Sequence, residues 1–121
     1  MHPAIAEGIR LFNSQRYFEA HEALEALWLT EQGEEKLFLH GLIQVAAAFH
    51  HYQRGNDAGF RSLLEKGEKK LTVYSQENYG IDVEDFLIQL RPWLAAARAQ
   101  NLAATTLPLP VIRTLQPFST V

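Results

Sequence analysis

The sequence predicts an all-α protein, a single-domain bundle of about five antiparallel helices with an extended C-terminal tail. Three observations point there. Apolar residues recur at spacings of three and four along nearly the whole stretch up to Gln100, as in helices with one buried face. The interruptions are short and carry Gly or Asn, at Gly33, at Gly55 with Asn56, and at Gly80, and short connections make sequential helices antiparallel neighbours. The 121 residues, 47% hydrophobic and 21% charged, are enough for one core and too few for two.

Pro3 suits the first position of a helix, where its missing N–H has no partner to lose. Ile5, Gly8, Ile9 and Phe12 then line one face, and residues 13–15 break the pattern. A second helix starts near Arg16, carries Tyr17, Ala20, Leu24, Leu27 and Trp28, and stops by Gly33. Glu34 and Glu35 open the third helix, where the dipole favours negative charge. That helix runs to Arg54 and is apolar nearly all round over residues 37–49, which places it in the middle of the bundle. Asn56 caps a fourth helix with the stripe Phe60, Leu63, Leu64, Gly67, Leu71 and Tyr74, expected to stop near Gly80. Its other face, with Arg61, Glu65, Lys66, Lys69 and Lys70, reads as a solvated surface.

Asp82 caps a fifth helix, with Val83, Phe86, Leu87, Leu90 and Leu94 buried. Pro92 should kink or restart it. Residues 1–100 thus form the bundle, and residues 101–121 form a tail. There Leu107, Leu109, Val111, Ile112 and Leu115 alternate with Pro108 and Pro110. Such a segment is extended and too apolar to stand in water, so it should lie on its own domain or on a neighbour; a homodimer is expected on that ground.

Composition excludes several functions. There is no cysteine, hence no disulfide and no thiolate ligand. The net charge of −3 gives no basic field for nucleic acid or anionic lipid. No apolar run approaches the ~18 residues of a membrane span, and Met1-His2-Pro3 does not begin a leader; a cytoplasmic protein is expected. A phosphate-binding glycine loop and a nucleophile elbow are both lacking in the sequence.

The polar chemistry gathers on the second helix. His21 and Glu25 are one turn apart, i and i+4, on the shoulder of the buried stripe, with Trp28 one turn further and expected to be buried. Glu22 points toward solvent. On the third helix, Gln44 lies within about 60° of His40, Gly41, Ala47, Ala48 and His51. The small residues there, Gly41 above all, are expected to let the second helix approach closely, whereas His50 points along the Leu39 and Ile43 side and is given no role. The resulting pocket of His21, Glu25, Trp28, Gln44 and His51 admits three readings. It is a satisfied structural network. It is a site for a divalent transition metal held by His21 and Glu25, with His40 and His51 as further ligands. Or it is a metal-free acid–base pair in which Glu25 orients His21. The zinc-protease pattern His-Glu-x-x-His fails at Glu25, and the inward Glu-x-x-His pairs of carboxylate-bridged bundles are missing.

His21, Glu25 and Trp28 spell His-x-x-x-Glu-x-x-Trp. With Tyr17-Phe18-Glu19-Ala20 before it, and Gly41-Leu42-Ile43-Gln44 and Gly55-Asn56 after it, the chain resembles the domain-of-unknown-function family 309 over roughly residues 5–75. The resemblance implies a helical bundle and no established activity; the His and Glu are the basis on which metal binding is suggested for such proteins. Two functional expectations follow: a small-ligand or metal-binding protein, with hydrolase-type activity left open, and a non-enzymatic interaction module.

Overall fold

The computed structural model describes residues 1–74 and 77–115. Five helices make the bundle: α1 (Pro3–Asn13), α2 (Tyr17–Trp28), α3 (Glu34–Gln53), α4 (Asp57–Val73) and α5 (Val83–Arg98). Local chemistry starts several of them. Asn56 Oδ1 accepts from Gly59 N at 2.9 Å and Asp82 Oδ1 from Asp85 N at 3.0 Å, each matching an orphan amide of a first turn. Pro3 occupies the first turn of α1, and His2 Nδ1 accepts from Ala4 N. No helix among the described residues is long and apolar enough to cross a membrane.

The third helix is central. It packs against α2 on one side and α4 on the other, while α1 lies on α2 and α5 on α4. Every helix sends a ring into one aromatic cluster: Phe12, Tyr17, Phe49, Phe60, Phe86 and Trp93. Phe49 meets Phe12, Phe60 and Trp93 edge-on at 6.2, 5.0 and 5.4 Å. The fully buried tryptophan is Trp93, while Trp28, at the end of α2, is partly buried and packs against the core.

Two further expectations change. The fourth helix ends at Val73, and residues between it and α5 form a small antiparallel hairpin, β1 (Glu77–Asn78) with β2 (Ile81–Asp82). Tyr79 and Gly80 both have positive φ, 54° and 74°, as a two-residue hairpin turn that matches strand twist requires. Tyr is an unusual first residue for that turn, so the sequence does not announce it. Helix α5 is not restarted at Pro92 but runs through it, with the proline on the exposed side.

Gly41 also faces the other way. A Cβ there would meet Lys70 Cβ at 3.1 Å and Leu71 at 3.2 Å, both on α4, so the close crossing is between α3 and α4 rather than α2 and α3. Gly67 is the tightest point of that crossing: a Cβ would lie 2.8 Å from Val45 Cγ2 and 2.9 Å from the Gly41 carbonyl oxygen. Backbone cannot give way as a side chain can. Gly67→Ala is expected to destabilise by about 1–3 kcal/mol, an overpacking cost, and Gly41→Ala by less. Urea unfolding of both variants checks this, and a Gly67→Ala protein as stable as the parent would mean the helices stand further apart.

The tail is sewn to its own bundle. After one 3₁₀ turn (Leu102–Ala104) it runs extended to Leu115. Asn13 donates to the Ile112 carbonyl at 2.9 Å and accepts from Ile112 N at 2.7 Å. Gln89 pairs with Val111 in the same reciprocal way, both bonds at 2.9 Å. Trp93 Nε1 donates to the Pro108 carbonyl at 3.0 Å, and Thr114 forms an isolated antiparallel bridge with Ile81 beside the hairpin. Two side-chain amides thus stand in for a neighbouring strand.

Candidate functional site

The buried stripe of α2, Tyr17, Ala20, Leu24 and Leu27, leaves His21 and Glu25 along its edge. Their Nε2 and Oε2 atoms are 3.5 Å apart, an ion-pair distance rather than a close hydrogen bond. Between residues 38 and 49 the third helix is buried except at His40 and Ala47. Those two positions open onto a cleft against α2. It has a volume of about 210 Å³ and is lined by His21, Glu25, Trp28, His40, Gln44 and Ala47, with Ile43 and Leu63 as apolar walls.

Trp28 forms one end of the cleft. Its ring lies 5.5 Å from the His40 ring, and Lys36 Nζ sits 4.6 Å from the indole centre. Desolvation, with the Lys70 charge acting in the same direction, lowers the His40 pKa below the usual histidine value. Gln44 is the buried polar residue of the core, 9% exposed, and its Oε1 has no hydrogen-bond partner. His21 Nδ1 is likewise buried without a partner. A neutral His21 imidazole with its proton on Nε2, the nitrogen that faces the carboxylate, has Nδ1 free as an acceptor. The pair can therefore receive a proton or a hydrogen bond from a guest.

Of the residues singled out from sequence, His21, Glu25, Trp28, Gln44 and His40 come together around this cleft. His51 does not line it. Its Nδ1 lies 3.1 Å from Asn56 Nδ2, next to the α4 cap, in an adjoining recess. His50, which sequence reasoning passed over, stands in that recess too, with its ring 5.2 Å from Phe18. His50 does point along the Ile43 side; it is α2 that docks on that side, because the glycine face of α3 is taken by α4. The signal that could have found it was the pairing of Phe18 with His21 on the second helix, three residues apart, which needs a matching face on α3.

The residues fit a transition metal poorly. Among the described residues no group of three or more His, Asp or Glu side chains comes close enough together to hold an ion. His21 and Glu25 offer two ligands, short of the three that even an open zinc site uses. A larger recess, about 480 Å³, lies between α4 and the end of α5, over Ala97 and Leu102. Two of the charged groups lining it are already matched to each other, with Glu65 accepting from Arg61 at 3.0 Å and also from Arg98 at 3.3 Å.

Fold and site together define a small all-helical protein whose second and third helices enclose a His–Glu–Gln cleft. The model of the family described as Domain of unknown function (DUF309) matches residues 5–63, from α1 through the first part of α4, and this segment belongs to that family. The chain is also 35% identical over 69 residues to a protein of Bacillus subtilis (strain 168) described as "Uncharacterized protein YpuF". That match covers 54% of this chain and 40% of the relative, so the chain spans about two-fifths of the length of the curated relative it matches. Neither description names an activity.

Proposed function

We propose that the cleft binds a small cation rich in N–H groups, an amine or a guanidine, and that His21, Glu25 and Gln44 receive its hydrogen bonds. The observation that carries this reading is a surplus of acceptors. Gln44 Oε1 and His21 Nδ1 are both closed off without a donor, in a cleft that also holds the Glu25 carboxylate. A buried acceptor left unmatched costs about 1–3 kcal/mol, and rotation of the amide or the ring toward a donor-bearing guest removes that cost. Trp28 adds an aromatic face that already attracts one cation, the Lys36 ammonium. A cytosolic setting is part of the same proposal.

Methylguanidinium is a suitable probe. Titrated into the labelled protein, it is expected to move the Gln44 side-chain amide and the His21 ring resonances. Glu25→Gln should weaken that response about tenfold, since it removes the charge while keeping the shape. No response at millimolar probe would return the three residues to a structural network. A control uses chelator-treated protein with zinc, where folded-state binding would raise the melting temperature. The expected shift is negligible; one of several degrees that disappears in Glu25→Gln would replace the amine reading with a metal.

A further inference from the structure

The cleft does not end at His21. A second recess of about 180 Å³ opens beside it, lined by Phe18, His21, Ala47, His50 and His51. His21 and Ala47 line both hollows, so the two make one groove along the seam between α2 and α3, with the alanine methyl as a low wall at its middle. The two ends differ in chemistry. At one, the acceptors are Glu25, Gln44 and His21. At the other stand two imidazoles, with Arg54 close enough, at the end of α3, for its charge to act on His50 against that of Glu19. The Arg16–Glu19 pair at 2.6 Å already offsets much of the Glu19 charge. His50 makes no side-chain hydrogen bond to any described residue, while His51 has only Nδ1 engaged. Phe18, 46% exposed and 6.0 Å from the His21 ring, supplies an apolar wall there.

We infer that the groove takes an elongated molecule, with its N–H-rich cation at the Glu25 end and an anionic group such as a carboxylate at the His50–His51 end. This rests on the amine-binding reading of the first cleft and extends it. An anion at the second end completes imidazole N–H donors that have no partner and lies near the Arg54 charge. The spacer between the two charges passes over the Ala47 methyl, beside the His21 ring, and against Phe18.

Two probes differing at one end test it on the full chain. Pentylguanidinium carries a terminal methyl where 5-guanidinopentanoate carries a carboxylate. The carboxylate probe is expected to bind about tenfold more tightly, equivalent to about 1.4 kcal/mol. The ring resonances of His50 should move with it and stay in place with pentylguanidinium. In His50→Leu the two affinities should come within about twofold of each other. Equal affinities in the parent, with shifts confined to His21 and Gln44, would overturn the extended groove and leave the amine cleft standing. Tighter binding of the carboxylate probe with unmoved His50 resonances would also overturn it. If neither probe binds, both readings fall. Should His50→Leu not fold, the His50 resonances of the parent decide the question alone.

Discussion

Trp93→Ala is expected to destabilise the protein by about 3–5 kcal/mol, the range of large aromatic truncations in cores. Trp93 is 2% exposed, and its ring lies 5.0 Å from Tyr52, 5.4 Å from Phe49 and 6.1 Å from Phe60. Its removal opens a cavity among packed rings of α3 and α4. The indole N–H also holds the tail through Pro108. Trp93→Phe keeps most of the area and loses that bond, so it should cost less. Trp28→Ala should cost less than Trp93→Ala, because Trp28 is only partly buried against the core and part of its ring already faces water. Denaturant unfolding of the three variants measures this order. A Trp28→Ala loss as large as that of Trp93→Ala would contradict the assignment of the core.

Removal of residues 104–121 is the second large effect. It exposes the surface under Ile112, a side chain 3% exposed whose burial alone is worth about 1.5–3 kcal/mol. It also leaves the Asn13 and Gln89 amides without their backbone partners. The truncated chain is expected to melt several degrees below the parent and to retain its helical circular dichroism, since the five helices end at Arg98. The single variants Asn13→Ala and Gln89→Ala should each cost about 1–2 kcal/mol, by leaving backbone groups unpaired. The double variant should cost less than their sum, because a strap that has come loose at one clamp has less to lose at the other. Strict additivity would show that the two clamps act independently and that the tail does not lift as a unit.

Much of the helical layout was legible because its causes are local. An N-cap bond such as Asn56 to Gly59 or Asp82 to Asp85 joins residues three apart, and an apolar stripe repeats within two turns. The His21–Glu25 contact was legible for the same reason, since any helix places i and i+4 together. Gln44 could be singled out as a polar residue on an otherwise apolar helix. Which neighbour it faced could not.

The sequence by itself determined five helices, the Asn56 and Asp82 caps, and the polar ladder on α2. Tertiary structure alone decided which helix each face of α3 meets. That helix is apolar nearly all round, so its pattern carries no directional preference, and the choice falls to close packing: Gly41 and Gly67 admit α4 within backbone contact, and α2 is left the Ile43–Ala47–His50 side. The same choice brings His50 beside His21 and sends His51 to the α4 cap. The tail was settled in the same way, by amides 99 and 22 residues distant in sequence. Asn13 and Gln89 read as surface polar residues until the folded chain lays a strand across them, because a hydrogen bond between distant segments leaves no periodicity in either one.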